Sequence, residues 1–225
     1  MNPDDFRPTE VSPRPSSDFP PLRLFLSFNP PSDVVSHFSQ AQTNLRRLLD
    51  CEYGPELPIR WTKPFQFHLT ILFFGNTSAA KADSIKARLI ELVGNRPEFP
   101  SLTTKGFGCF PPFHRQRVLW IGFARDPLLR IWQDRLAKAF QDDFVWKERD
   151  RSYPHVTIAR LAFQRLPARF GERLFALAQQ TRLPSWIWQV DSISLMRSIP
   201  GPKGSEYAAL ATLPVARRQE PGARS

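Results

Sequence analysis

The stretch SYPHVTIAR, residues 152–160, places a histidine two positions before a threonine in a segment that has the pattern of a β-strand. Successive side chains of a strand point to opposite faces of the sheet. Val156 and Ile158 would therefore enter a core. His155 and Thr157 would stand together on the other face, about 7 Å apart along the strand. An imidazole beside a hydroxyl on the open face of a strand indicates a functional site.

A second copy of this pattern lies in FQFHLTILFFG, residues 65–75, where His68 precedes Thr70 in the same way. The chain contains only four histidines, so the same context around two of them favours a functional role over coincidence. We predict a strand over residues 65–74. Its odd positions, all apolar, would face the core: Phe65, Phe67, Leu69, Ile71 and Phe73. His68 and Thr70 would share the opposite face.

Strands and helices alternate along the rest of the chain. Further strands are predicted at residues 22–28, 59–61, 102–110, 116–123, 186–198 and 206–212. Helices are predicted from the turn NPPSD to about residue 49, from residue 76 to 94, over 126–140 and over about 167–179. Each histidine-bearing strand is followed by a helix, which hints at two similar halves, although the halves share too little sequence to prove a duplication.

Composition narrows the class of protein. The chain has 225 residues, 41% of them apolar, and no apolar run approaches the ~18 residues of a membrane span. Residues 1–20 are predicted to be a disordered leader, residues 21–213 a single domain, and residues 214–225 a basic tail. Cys51 and Cys109 lack a C-x-x-C partner, which favours a reduced, cytoplasmic chain. The net charge of +10 favours phosphate-bearing partners without deciding for them.

The paired motifs suit phosphoryl transfer by general acid and base. An imidazole titrates near neutrality, so one histidine can accept a proton while the other gives one. A threonine hydroxyl two residues away can donate to a non-bridging phosphate oxygen. Metal catalysis is not expected, because the chain has no H-E-x-x-H motif, no cysteine pair and no clustered His, Asp and Glu spacing. We therefore expect no metal and no cofactor.

On these residues the chain resembles the two-histidine phosphoesterases, which carry two H-x-T-x motifs, and among them the bacterial RNA 2′,3′-cyclic phosphodiesterases. The resemblance runs from about Leu22 to Leu213 and includes IRWTKPFQFHLTILFFGN, GFGCFPP, RVLWIGF, YPHVTIARL and SLMRSIPGPKGSEYAAL. It implies a bilobal α+β fold, in which two related antiparallel sheets with flanking helices form a central cleft.

The resemblance also implies a reaction and its residues. His68 would donate a proton to the departing 3′-oxygen, and His155 would activate the attacking water, which leaves a 2′-phosphomonoester. Thr70 and Thr157 would complete the catalytic set. Related enzymes can run the chemistry backwards and join RNA ends by a 2′-5′ bond. The expected partner is an RNA or oligonucleotide with a 2′,3′-cyclic phosphate end. No membrane is expected as a partner, and a monomer is expected.

Two further residues are candidates for substrate binding. Arg160 matches the arginine that follows the second motif in the family, and its planar fork of donors suits a phosphate. Strict alternation would put Arg160 on the face opposite His155, so the strand must end or bulge near Ala159, or the side chain must curl round. Phe110, beside the loop PPFHR, could stack on a base or could belong to the core.

Other residues depart from the family pattern or have no predicted role. Leu72 stands where relatives often carry a basic residue, as in H-L-T-L-K, so charge stabilisation near the first histidine must come from elsewhere. Trp61 and Trp120 are predicted to lie in the core. His37 is predicted to have no chemical role, and His114 to be a surface residue.

Two alternative functions stay open. The chain could be a phosphoesterase of the same superfamily that acts on another small ligand, such as a cyclic nucleotide or an ADP-ribose-type 1″,2″-cyclic phosphate. It could instead be a non-catalytic RNA-binding module that retains the fold, although two intact motifs argue against this. Turnover of a 2′,3′-cyclic nucleotide in the presence of EDTA is the test that reduces the uncertainty most, because it separates a metal-independent enzyme from a binding module.

Overall fold

Antiparallel strands with helices between them make up the part of the chain that the computed structural model describes. The described residues are 21–94, 98–110, 118–143, 153–162, 166, 169–181, 183–201 and 204–214. The predicted leader, most of the predicted tail and the loop PPFHR, which contains His114, lie outside them. No helix in the described ranges is long and apolar enough to cross a membrane.

The elements follow the predicted order, and the predicted α+β class is confirmed. The strands are β1 (Leu22–Phe28), β2 (Ile59–Trp61), β3 (Leu69–Thr77), β4 (Ser101–Phe110), β5 (Val118–Phe123), β6 (His155–Leu161), β7 (Ile187–Gln189), β8 (Ser192–Ile199) and β9 (Glu206–Pro214). The helices are α1 (Ser32–Tyr53), α2 (Ala79–Gly94), α3 (Pro127–Ala139) and α4 (Phe170–Gln180), with a short 3₁₀ turn at Pro64–Gln66.

The sheet consists of two antiparallel halves that meet at the two motif strands. Within the described residues the strand order is β7-β4-β5-β6-β3-β1-β8-β9, and β2 also pairs with β6. Strands β3 and β6 are joined by one residue pair, Leu69 with Val156. The two related sheets expected from the family are therefore connected here into one sheet, with each H-x-T strand at the inner edge of its half.

A single apolar core lies against one face of both halves. Leu69 and Val156 belong to it, as do buried residues of all four helices. Phe38 of α1 is fully buried and makes edge-to-face ring contacts with Trp188 at 6.4 Å and Phe123 at 6.0 Å. Asp126 caps α3 by accepting a hydrogen bond from the backbone N–H of Leu129, at 2.8 Å. This core fixes the position of both motif strands.

The strand predicted over residues 65–74 begins later than expected. Pro64–Gln66 form a 3₁₀ turn instead, because proline favours the first position of a helical turn. Phe65 is consequently 79% exposed, and its predicted place in the core is wrong. Phe67 and Leu69 are buried as predicted.

The predicted burial of Phe73 is also wrong, and the reason is the pairing of β3 with β1. The register between these strands shifts twice, which leaves Ile71 and Phe74 as extra residues on β3. Bulges of this kind change which face the following residues occupy. Leu72 and Phe74 are therefore buried, whereas Phe73 is partly exposed beneath the guanidinium of Arg23, 5.0 Å from its ring centre.

Candidate active site

The two H-x-T motifs lie side by side where the halves of the sheet meet. The antiparallel pair Leu69–Val156 sets their register, and one step along each strand places His68 next to Thr157 and Thr70 next to His155. Leu69 and Val156 point into the core, so alternation turns both histidines and both threonines to the opposite face. All four side chains are half-buried there. Each histidine thus lies beside the threonine of the other motif.

The two imidazoles are held in the same way. Nδ1 of His68 lies 2.8 Å from the carbonyl oxygen of Gln66, and Nδ1 of His155 lies 2.9 Å from the carbonyl oxygen of Tyr153. A carbonyl oxygen can only accept a hydrogen bond, so Nδ1 carries the proton in both rings. Nε2 is then the nitrogen of each ring that exchanges protons with a ligand.

Each histidine lies among aromatic rings. His68 contacts Phe25 of β1 at 5.0 Å and Tyr207 of β9 at 4.8 Å between ring centres. His155 contacts Phe110 of β4 at 5.1 Å and Trp120 of β5 at 5.9 Å. Phe110 is half-buried at the end of its strand rather than inside the core. The structure therefore brings Phe110 to His155.

Trp120 is a residue of this site, and its predicted place in the core is wrong. Leu119 and Ile121 on either side of it are buried in the core, so alternation directs Trp120 to the face of His155. Its indole lies over Gly108 and Gly122, where it occupies the space that a Cβ atom would need. The alternation in VLWIGF and the two glycines were the signals in the sequence that could have identified it. Trp61 packs against the core, as predicted.

Tyr153 extends the aromatic surface around Trp120. Its ring is stacked on the indole, with 6.2 Å between centres and an interplanar angle of 26°, and is 54% exposed. Phe110 contacts the same indole at 5.1 Å. The three rings form one aromatic patch beside His155. A nucleobase stacks well on such a surface.

Arg160 lies on the same face of β6 as His155, because the strand contains a bulge. The pairing with β5 shifts by one residue between Thr157 and Ala159, which leaves Ile158 as the extra residue. Ile158 and Ala159 are both buried in succession, and the alternation resumes one residue out of phase. Of the three explanations expected from the sequence, the structure shows the bulge. Arg160 is exposed on the motif face.

The pKa of each active-site imidazole is lowered, mainly by burial. For His68, the charges of His155 and Arg160 lower the pKa further, whereas the hydrogen bond to Gln66 raises it. For His155, Arg160 again lowers the pKa and the hydrogen bond to Tyr153 raises it. The guanidinium of Arg160 therefore acts electrostatically on both histidines. It supplies positive charge near the first motif, where Leu72 is buried in the core.

His37 is not in this cluster. His37 stacks on Trp186, with 4.5 Å between ring centres, and His114 falls outside the described residues. No three His, Cys, Asp or Glu side chains come together as a metal site within the part of the chain that the structure describes. The expectation of metal-free chemistry stays a prediction that chelation tests.

Residues 66–201, which contain both motifs, match the 2′-5′ RNA ligase superfamily. The chain belongs to this superfamily. Curated relatives of the chain include two proteins named RNA 2′,3′-cyclic phosphodiesterase. The one from Aeropyrum pernix is 30% identical over 168 residues, which cover 74% of this chain and 92% of the relative. The one from Thermotoga maritima is 25% identical over 190 residues, which cover 84% and 93%.

Solved structures give the same superfamily fold. The protein TT0787 of Thermus thermophilus has a TM-score of 0.63 and 25% identity, over 86% of this chain and 97% of that one. Escherichia coli LigT has a TM-score of 0.55 and 19% identity. The match covers 88% of this chain and all of LigT, and it supports the fold alone. The α+β architecture of paired antiparallel sheets is thus shared across most of the described residues.

Proposed function

We propose that this protein is an RNA 2′,3′-cyclic phosphodiesterase that hydrolyses the cyclic phosphate end to a 2′-phosphomonoester. The observation that carries the proposal is the reciprocal pairing of the two motifs, which places two imidazoles and two hydroxyls around one small space. The curated relatives are named RNA 2′,3′-cyclic phosphodiesterases, and the 2′-phosphate product is the part that the proposal adds. The substrate is an RNA end, in line with a chain that carries a net charge of +10.

The reaction needs one base and one acid. Nε2 of His155 takes a proton from a water molecule, whose oxygen attacks the phosphorus. The bond between phosphorus and the 3′-oxygen breaks, and Nε2 of His68 delivers its proton to that oxygen. The products are a 3′-hydroxyl and a 2′-phosphomonoester. His155 ends protonated and His68 neutral, and exchange with solvent restores both. The same steps, with an RNA 5′-hydroxyl in place of water, would form a 2′-5′ bond.

Charge on the phosphoryl oxygens increases in the transition state, and three side chains are placed to stabilise it. The hydroxyls of Thr70 and Thr157 can donate to the non-bridging oxygens from the two sides. Arg160 can donate two parallel hydrogen bonds from its guanidinium fork. These roles follow from the shared face of the four motif residues and Arg160.

The lowered pKa values make protonation of the acid depend on the substrate. In the free enzyme both imidazoles favour the neutral state, since burial and Arg160 disfavour positive charge. A bound cyclic phosphate brings a negative charge between them and stabilises the imidazolium. We therefore expect substrate binding to be accompanied by proton uptake at the acid.

The aromatic patch of Phe110, Trp120 and Tyr153 is proposed to hold the terminal base. Its position beside His155 would set the ribose so that the cyclic phosphate reaches both imidazoles. Aromatic stacking accepts every base, so this contact would orient the end without selecting its sequence. A monomer suffices for this reaction, since one chain supplies all of these residues. The cytoplasm is the compartment that the cysteine spacing favours.

The test of this function is turnover of a 2′,3′-cyclic nucleotide and of a cyclic-ended oligonucleotide in the presence of EDTA, with the product identified by its phosphate position. We expect 2′-phosphates at an undiminished rate. Formation of 3′-phosphates alone, or loss of activity on chelation, would contradict the proposal. Tight binding of the oligonucleotide without turnover would instead favour a non-catalytic RNA-binding module.

A further inference from the structure

Arg60 on β2 lies directly opposite Arg160 on β6. Cross-strand partners share a face of the sheet, with their Cβ atoms about 4.5–5.5 Å apart. Ile59 and Trp61, the neighbours of Arg60, pack against the core, so Arg60 points to the face that carries the histidines. Both arginines are exposed. The active-site face therefore continues past Arg160 to a second guanidinium.

Two like charges directly opposite each other in a sheet are unfavourable. The chain nevertheless has an arginine at both positions, 60 and 160. The structure holds the Arg60 side chain in a defined position. Its guanidinium lies against the backbone of Gly204, where it occupies the space that a Cβ atom would need. Gly204 has a positive φ of 114° and donates its N–H to the carbonyl oxygen of Gly201 at 3.0 Å. The backbone of Gly204 thus fixes the position of the Arg60 guanidinium.

Anions bound by the two guanidiniums would offset the repulsion between them. Arg160 is within electrostatic reach of both histidines, so it belongs to the reacting phosphate, and Arg60 lies one strand away from it. Successive phosphates of a nucleic-acid strand have a regular short spacing that two long side chains can span. A cyclic mononucleotide has only the reacting phosphate. An oligonucleotide has a second, on the 5′ side of its terminal ribose.

We infer that Arg60 binds the phosphodiester on the 5′ side of the terminal nucleotide and so makes the enzyme prefer oligonucleotide ends over cyclic mononucleotides. This inference rests on the proposed function, since it names a second contact to the same substrate. Arg160 holds the reacting phosphate, and Arg60 holds the next one. The two arginines together would determine the direction in which the RNA chain extends away from the reacting phosphate.

The experiment compares kcat/KM for a dinucleotide that ends in a 2′,3′-cyclic phosphate with kcat/KM for the matching cyclic mononucleotide. The wild type should prefer the dinucleotide. Arg60→Gln should lower kcat/KM for the dinucleotide by about 10- to 100-fold, the loss typical of one charge-assisted contact. It should leave kcat/KM for the mononucleotide unchanged, which also shows that the variant is folded. Arg47→Gln, which removes an exposed charge from α1, is the matched control and should change neither value.

A second arm removes the charge from the substrate. A dinucleotide with a neutral methylphosphonate linkage should be a poor substrate for the wild type and no worse for Arg60→Gln, because both changes remove the same contact. Equal losses on mononucleotide and dinucleotide, or no loss on either, would overturn the role of Arg60, as would a wild type without preference. A wild type inactive on both substrates would overturn the proposed function instead.

Discussion

Arg160 and His155 share one face of β6, although strict alternation over five positions would separate them. The bulge at Ile158 accounts for this, and it brings a guanidinium to the two imidazoles. A bulge that redirects one side chain toward a site is a recurrent feature of functional strands. In this chain it supplies positive charge that the buried Leu72 cannot.

Replacement of Arg160 should impair catalysis while preserving the fold. Arg160→Ala should cost about 1.5 to 3 kcal/mol of transition-state binding, the range of a hydrogen bond to a charged group. Arg160→Lys should remain impaired, because a point charge cannot reproduce the bidentate fork. Steady-state kinetics on a cyclic dinucleotide measure both, with Arg47→Ala as the control. Wild-type kinetics in both Arg160 variants would make Arg160 a solvated surface residue.

The pH dependence should be displaced to the acidic side. The profile of kcat/KM reports the free enzyme, in which the pKa of each histidine lies below the ordinary 6.5. The maximum, which lies between the two apparent pKa values of the pair, should therefore fall below pH 6.5. Arg160→Gln removes a charge that lowers both values, so both limbs should move to higher pH. A wild-type maximum above 6.5, or a profile unmoved in the variant, would contradict this electrostatic account.

Stability should rise with pH in the same window. Because the folded pKa of His68 and His155 lies below 6.5, the unfolded state binds more protons between the lowered value and 6.5. The free energy of unfolding should therefore fall as the pH drops through that range. The double variant His68→Asn, His155→Asn should show a shallower fall. Urea titrations at several pH values measure this, and parallel curves for the two proteins would contradict it.

A methyl group at Gly108 should collide with Trp120. Gly108→Ala should lower the free energy of unfolding by about 1 to 3 kcal/mol, the usual cost of overpacking, and should reduce kcat/KM by moving the indole beside His155. When Trp120 is already replaced by leucine, adding Gly108→Ala should lower the free energy of unfolding much less than it does in the wild type. Gly94→Ala is the control, because its added methyl group meets no atom of the described residues within 4 Å. An unperturbed Gly108→Ala protein would show that the indole does not lie over this glycine.

Much of the fold could be predicted from alternation and turn chemistry. The strands 22–28 and 59–61 were found at their boundaries, and α2 ends at Gly94 as predicted but begins three residues later than expected, at Ala79. The two bulges of β3 could not be predicted, since they depend on which residues of β1 pair with it, and Phe73 was placed in the core for that reason. The bulge of β6 was among the explanations expected for Arg160. Phe65 was placed there because the helical turn after Pro64 was not recognised. Trp120 was missed because an aromatic residue in a strand is equally typical of a core and of a site.

The sequence predicted that the two motif strands line one cleft. It did not predict the register in which the strands pair. One residue pair, Leu69 with Val156, is enough to place each histidine beside the threonine of the other motif. Contacts between residues so far apart in the chain have no local signal in one sequence. The resemblance to the family supplied that link.

The central claim is that His68 and His155 act as an acid and base pair, and pH profiles of kcat/KM for single variants test it most directly. His68→Ala and His155→Ala should each slow turnover by about 10² to 10⁴. This is roughly 2.7 to 5.4 kcal/mol of barrier. His155→Ala should flatten the acidic limb, where the base must be neutral, and His68→Ala the basic limb, where the acid must be protonated. Variants that keep both limbs and near-normal activity, while melting far below the wild type, would contradict the claim and make both histidines structural.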